Sequence, residues 1–322
     1  MDLIQRLKFD VINDYQVTKE DALSLYSAPL KELCAAANEL RKHFCGNAFD
    51  ICTIINGKSG RCSEDCKYCA QSVHYCTEIQ EYPLLDSKCL LKAAVYNEIN
   101  GVLRYSIVTS GRNLSAAEMD MICERYRALR DNCTISLCAS HGLLSFEQLQ
   151  QLKAAGVARY HNNLETSRRY FPHICTTHTY DDKIATIKNA LAAGLEVCSG
   201  GVMGLGETIE DRIAMALDLR SLGVKSIPVN VLNPIKGTPL GNTPKLTADE
   251  VARIVAVYRF ILPDAAIRLA GGRGLLADKG KAVFQSGASA AISGDMLTTA
   301  GISISNDMAL LKDLGFEVKF HE

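Results

Sequence analysis

Asp50-Ile-Cys-Thr-Ile-Ile-Asn56 runs directly into Gly57-Lys-Ser-Gly-Arg-Cys-Ser-Glu-Asp-Cys-Lys-Tyr-Cys-Ala-Gln-Ser72. The first piece is apolar and β-branched and reads as a buried strand; the second reads as a loop that carries cysteines. Cys62, Cys66 and Cys69 follow the spacing C-x3-C-x2-C, and no fourth cysteine completes a regular set. A closed structural metal site takes four ligands, whereas three thiolates hold three irons of a cubane and leave the fourth iron open. The loop is therefore read as a place for chemistry. Zinc is the competing reading, but zinc sites usually pair C-x2-C units or add histidines.

Outward from this stretch the pattern repeats. Strand-like runs fall at 49–55, 103–108, 134–139, 159–164, 196–202, 226–232, 266–270 and 288–293. Helical stretches separate them, among them 115–130, 145–155, 179–193, 208–222 and 247–262. Ala155-Gly156-Val157, Ala193-Gly194-Leu195 and Leu222-Gly223-Val224 each look like a helix stop feeding a strand. Strands alternating with helices predict an α/β fold, a (β/α)8 TIM-type barrel, with a doubly wound open sheet as the alternative. Gly201-Val-Met-Gly-Leu-Gly206 lacks the G-x-G-x-x-G spacing of a dinucleotide loop. Thr18 with Asp21 resembles a capping box, so helices are predicted ahead of the barrel. One domain is expected over 1–322, with N-terminal helices at 1–47, the barrel at 48–300 and a C-terminal helix and tail at 301–322. In a barrel, a loop after the first strand lies on the C-terminal face, where active sites are built.

The charge balance of 35 basic against 36 acidic residues argues against a nucleic-acid or membrane-surface partner. No signal-like or membrane-length apolar run occurs, which predicts a cytoplasmic protein. The 13 cysteines then favour metal or redox use over disulfides. Cys34, Cys45, Cys89 and Cys123, in helix-like segments, are expected to be small buried hydrophobes.

C-x3-C-x2-C with an aromatic, Tyr68, before the last cysteine resembles the radical S-adenosylmethionine (SAM) superfamily. That resemblance implies a 4Fe–4S cluster on Cys62, Cys66 and Cys69. SAM chelates the open iron, and its cleavage yields a radical that removes hydrogen from an unactivated carbon. Further motifs narrow the likeness: Tyr160-His-Asn-Asn-Leu-Glu-Thr166, Cys198-Ser-Gly-Gly-Val-Met-Gly-Leu-Gly-Glu207, Pro228-Val-Asn230, Lys236-Gly-Thr-Pro-Leu240 and Ile267-Arg-Leu-Ala-Gly-Gly-Arg273. In this order they resemble the biotin synthases, which insert sulfur into dethiobiotin and take it from an auxiliary Fe–S cluster.

In most members of that family the auxiliary cluster is 2Fe–2S, held by cysteines on strands two, three and five and an arginine on strand seven. Cys138, Cys198 and Arg268 match, but Ser106 stands where the strand-two cysteine belongs. Cys52, on the first strand, replaces a small hydroxyl residue of the family and is the candidate third thiolate. The resemblance thus implies auxiliary ligands Cys52, Cys138, Cys198 and Arg268, and a four-iron cluster with an extra sulfide rather than 2Fe–2S. Cys133 and Cys175 are weaker candidates.

The same resemblance implies SAM contacts at Tyr68, Asn163, Glu165, Lys183, Val202 and Gly204. It implies substrate contacts at His161, Asn163, Asn230, Thr298 and Thr299. Glu165 and His161 depart from the usual aspartate and asparagine. No general acid or base is demanded, since the cofactor radical abstracts hydrogen and the protein supplies position. A flavodoxin- or ferredoxin-type reductant, Fe–S assembly machinery and a homodimer are the expected partners. The nearest rivals are barrels such as the maturase of di-iron hydrogenase or a methylornithine-forming mutase. A non-catalytic Fe–S or zinc protein is the rival of a different class.

Overall fold

The computed structural model describes residues 2–320. Helices α1 (Leu3–Ile12), α2 (Lys19–Tyr26) and α3 (Leu30–Cys45) precede the barrel. The capping box of α2 is formed, with the Thr18 side chain on the Asp21 amide and the Asp21 carboxylate on the Thr18 amide.

Eight parallel strands follow: β1 (Ala48–Lys58), β2 (Arg104–Thr109), β3 (Ser136–Ser140), β4 (Arg159–His161), β5, β6 (Ser226–Val231), β7 (Ala266–Leu269) and β8 (Ala290–Ser293). β5 is in two pieces, Glu196–Cys198 and Gly201–Met203, both paired with β6. β1 pairs with β2 on one side and β8 on the other, which closes the (β/α)8 barrel. A two-residue strand, β9 (Glu317–Val318), lies beside the start of β1 and was not anticipated. Residues 321 and 322 of the expected tail lie outside the described residues.

The outer ring consists of α4 (Ser87–Ile99), α5 (Ala116–Asn132), α6 (Phe146–Ala154), the short α7 (Phe171–Ile174), α8 (Tyr180–Ala192), α9 (Ile209–Ser221), α10 (Ala248–Ile261), the short α11 (Lys281–Phe284) and α12 (Ile304–Asp313). α5, α6, α8, α9 and α10 each start on a Ser or Thr capping box. These boxes satisfy amides that no helical carbonyl can reach. Gly156, Gly194 and Gly223 take positive φ where the chain leaves a helix for β4, β5 or β6, as the stop signals predict. No helix among the described residues is long and apolar enough to cross a membrane.

Several boundaries differ from the sequence reading by one to three residues, β1 running on to Lys58 rather than stopping at 55, and two of them bear on the site. The fourth strand stops at His161 rather than 164, and the fifth is interrupted at Ser199-Gly200. At the break the two strands pass closely: a Cβ at Gly200 would lie 2.0 Å from the Pro228 carbonyl oxygen, so only glycine fits there. Of the helix cysteines, Cys45 and Cys123 are buried, but Cys34 is half-buried and Cys89 is exposed. Cys89 lies off the stripe of Leu90, Ala94 and Asn97 that α4 turns inward. Cys133 is not on a strand at all; it caps α5, its thiol directed to the Leu129 carbonyl at 3.0 Å.

Candidate active site

A cavity of about 390 Å³ opens where the strands end. Tyr68 and Cys69 line it near the mouth, with Asn163, Glu165, Val202, Asn230, Thr298 and Thr299, while Cys52, Cys138, Cys198 and Arg268 line it inside the barrel. It therefore brings together residues of the expected cluster, SAM and substrate sets.

The three-cysteine loop is folded by its own backbone. The Cys62 amide donates to Gln71 O at 3.0 Å, the Val73 amide to Cys62 O at 2.9 Å, and the Cys69 amide to Cys66 O at 2.9 Å. The loop after β4 supports it from outside. Lys67 N donates to Ile174 O at 2.9 Å, and the Asp65 carboxylate accepts from the Thr176 amide at 2.8 Å. A hydrogen bond to Cys175 and burial raise the Cys66 thiol well above its ordinary pKa, and burial lifts Cys69 to about 11. Buried thiols of this kind bind metal only with loss of their protons. Lys183, half-buried on α8, bears electrostatically on both Cys66 and His178.

Inside the barrel the layering is informative. TIM-barrel side chains stack in layers of four drawn from alternate strands. Cys52, Cys138, Cys198 and Arg268 lie on β1, β3, β5 and β7, all odd, and form one such layer. Arg104, Arg159 and Ser226 belong to the even strands beneath it, and Ser106 and His161 to the even strands above. The staggered register agrees: Cys52 pairs with Arg104 and Arg104 with Ser136, so that Cys138 lies two residues further along β3 and reaches the height of Cys52. Arg268 Nη1 donates to Cys52 Sγ at 3.1 Å and to Asp50 O at 2.8 Å. Ser226 Oγ lies 3.2 Å from Cys198 Sγ.

Beneath this layer sits a residue that the sequence reading missed. Asp50 Oδ2 meets Arg268 Nη2 at 3.0 Å, Arg104 Nε at 3.1 Å and Arg159 Nη1 at 3.4 Å, with Asp50 only 1% exposed. Burial opposes its charge, but Arg268, Arg104 and Arg159 outweigh it and hold the carboxyl well below the usual range. A charged residue inside an apolar strand run was the signal available. His161 is the register partner of Cys198 across β4 and β5. Burial resists ionisation of Cys198, yet the hydrogen bond and charge of His161, with Arg268 and Arg159, bring that thiol down to about 6. His161 thus faces a candidate cluster thiol as well as the cavity.

At the mouth, Asn163 accepts from Gly200 N at 3.0 Å and donates to Glu165 at 3.3 Å. Glu165 has φ +70°, a left-handed conformation that costs a side-chain-bearing residue on the order of 1–3 kcal/mol and that concentrates at functional sites. Burial and the Glu165 carboxylate push the Tyr68 hydroxyl well above its ordinary range. Asn230 ties two strand ends, donating to Gly201 O at 3.1 Å and accepting from Gly271 N at 2.9 Å. One amide hydrogen and one lone pair remain for a ligand. The Thr298–Thr299 loop is anchored through Asn56 Nδ2 on Leu297 O at 2.9 Å. Val202 lines the cavity, whereas Gly204 is a buried turn residue whose amide donates to Glu207 at 2.8 Å.

A Radical SAM superfamily model matches residues 58–219, and a Biotin and Thiamin Synthesis associated domain model matches 228–317. A biotin synthase of Akkermansia muciniphila is 59% identical over 319 residues, covering 99% of each chain. The chain belongs to the biotin synthase family. A biotin synthase of Clostridium botulinum (strain Alaska E43) is 56% identical, covering 99% of this chain and all of its own. The crystal structure of methylornithine synthase shares the fold, with TM-score 0.86 at 19% identity over 98% of both chains. A maturase of the FeFe-hydrogenase has TM-score 0.84 at 19% identity, covering 98% of this chain and 74% of its own. This biotin synthase family member is thus a radical SAM enzyme, which implies a 4Fe–4S cluster and SAM. The residues fit: one loop supplies three thiols, with Cys69 close enough to bear electrostatically on both Cys62 and Cys66, and Glu165, left-handed in its backbone, lines the same cavity as Cys69 and Tyr68.

Proposed function

We propose that this chain makes biotin from dethiobiotin and draws the sulfur from an auxiliary iron–sulfur cluster held by Cys52, Cys138 and Cys198 beside Arg268. The supporting observation is the single odd-strand layer that these four share, with Arg268 on Cys52 at 3.1 Å. Ser106, one layer higher, offers a neutral hydroxyl, a poor iron ligand beside thiolate. Three thiolates suit a four-iron cubane with one non-protein ligand. An extra sulfide there is the proposed sulfur donor.

Cys62, Cys66 and Cys69 would hold the SAM cluster. When bound, that cluster would supply the electron that cleaves SAM, and the carbon-centred radical so released would remove hydrogen from saturated carbon. The protein's own part is positioning. Glu165 can accept two hydroxyl hydrogen bonds from the SAM ribose, and Tyr68 and Val202 flank that region. Lys183 adds positive charge near the cluster loop. Asn163 and Asn230 present amides to the ureido group of dethiobiotin, with His161 between them and Cys198. Thr298 and Thr299 hold the substrate carboxylate, which orients the chain and excludes water. Electrons come from a flavodoxin- or ferredoxin-type donor, and clusters from Fe–S assembly machinery. A homodimer in the cytoplasm is the proposed working form.

The test is anaerobic reconstitution followed by Mössbauer spectroscopy and turnover with dethiobiotin, SAM and a low-potential reductant. Biotin formation with two four-iron clusters is expected. A clean 2Fe–2S signal overturns the cluster assignment, and absence of biotin from fully loaded enzyme overturns the reaction.

A further inference from the structure

The loop after β4 carries soft ligands that the proposed reaction does not use. Cys175 and His178 are buried, at 2% and 7% exposure, and lie against the cluster loop. One ligand atom each from Cys66, Cys175 and His178 falls within 4.8 Å of the others. Cys175 Sγ is 3.3 Å from Nδ1 of His178 and 3.8 Å from its Nε2. Tetrahedral coordination at about 2.3 Å to sulfur and 2.0–2.1 Å to nitrogen separates neighbouring ligands by roughly 3.5–3.8 Å. Glu64 Oε2 lies 2.5 Å from His178 Nδ1 and accepts from Thr177 Oγ1 at 2.8 Å. A carboxylate on one ring nitrogen fixes the histidine and frees the other nitrogen for metal.

We infer that Cys66, Cys175 and His178, oriented by Glu64, form a mononuclear site for a borderline-soft divalent cation such as Zn²⁺ or Fe²⁺. The site exists while the SAM cluster is absent. Its fourth position is left to water. Both loops are pinned to each other, through Asp65 on the Thr176 amide and Lys67 on Ile174, so the three ligands are held together before metal arrives. Because Cys66 serves both centres, the single ion and the cluster exclude one another. The exclusion rests on Cys66 being a cluster ligand; ion binding alone does not.

The experiment uses the full chain, stripped of iron under anaerobic reducing conditions and titrated with Co²⁺. Thiolate-to-cobalt charge transfer and tetrahedral ligand-field bands report the site. One Co²⁺ per chain is expected. Binding should vanish in Cys66→Ser and Cys175→Ser, weaken at least tenfold in His178→Asn, and persist in Cys62→Ser and Cys69→Ser. Retention in Cys175→Ser, with native-like thermal melting, overturns the site. So does loss in Cys62→Ser and Cys69→Ser, which would put the metal on the three-cysteine motif. Addition of iron and sulfide should then release the cobalt as the four-iron absorption grows. Cobalt that stays bound to cluster-loaded enzyme overturns the exclusion.

Discussion

Arg268 Nη1 lies 3.1 Å from Cys52 Sγ, and both side chains are buried in the barrel. The contact joins β7 to β1 across the closure of the sheet and completes the layer begun by Cys138 and Cys198. Cys52 therefore has a partner that a mere filling residue would not need. The Cys52→Ser variant is expected to keep SAM cleavage to 5′-deoxyadenosine while biotin yield falls at least tenfold, because a neutral hydroxyl replaces a thiolate. Iron analysis should show loss from the auxiliary centre alone. A Cys52→Ser/Ser106→Cys double variant, with the thiol back on β2, should regain auxiliary iron. Full iron and full biotin yield in Cys52→Ser alone would remove Cys52 from the ligand set.

Asp50 is the buried counter-charge shared by three guanidiniums, two of which, on Arg104 and Arg159, also meet the more exposed Glu196 at 3.4 and 2.7 Å. Removing one partner of a buried ionic network leaves uncompensated charge and costs about 3–5 kcal/mol. Asp50→Asn is thus expected to lower the melting temperature of the cluster-free protein by about 5 °C. It should also loosen Arg268 and so depress auxiliary-cluster loading. Differential scanning calorimetry checks the first effect, and an unchanged melting temperature would contradict the network's weight.

Much of this arrangement is legible before any coordinates, and the remainder is not, for physical reasons. Strand runs and the glycine stops at Gly156, Gly194 and Gly223 are local, so the barrel can be read from them. The C-x3-C-x2-C loop is local too. The close pass of Gly200 by the Pro228 carbonyl is not, since the two residues lie on different strands. Nor is the approach of His161 to Cys198, which is set by the β4–β5 register. The Cys175 and His178 pairing with Cys66 joins two loops that only the closed barrel brings together. Asp50 offered a signal, a charge in an apolar run, but its three arginine partners come from three strands.

Glu165 combines a left-handed backbone with a carboxylate at the cavity mouth. Charge-assisted hydrogen bonds contribute about 1.5–3 kcal/mol, so Glu165→Gln should weaken SAM binding roughly 10–100-fold. The iron–sulfur absorption should be unchanged. Glu165→Gly should lose SAM affinity similarly while relieving backbone strain, seen as equal or higher thermal stability. Equilibrium dialysis with SAM separates the two effects, and unaltered affinity in Glu165→Gln would exclude the ribose contact.

His141 gives the fold a definite acid sensitivity. It is fully buried, with Nε2 3.1 Å from the Tyr126 hydroxyl and Nδ1 3.0 Å from Thr109 Oγ1. Tyr126 donates its own proton to the Cys138 carbonyl at 2.9 Å, so Nε2 carries the hydrogen and Nδ1 accepts from Thr109. Burial disfavours the imidazolium and takes the pKa from 6.5 down to about 3. Between those values the unfolded chain binds the proton and the folded chain does not. Stability from this residue is complete above pH 6.5 and falls as pH drops, by ~1.4 kcal/mol per pH unit. His141→Asn should be less stable than the parent at pH 7. The gap should narrow by about 2 kcal/mol on moving to pH 5, because the variant has no imidazole to protonate. Urea unfolding of both proteins at several pH values measures that gap, and a gap that does not change with pH would show that burial does not lower the His141 pKa on folding.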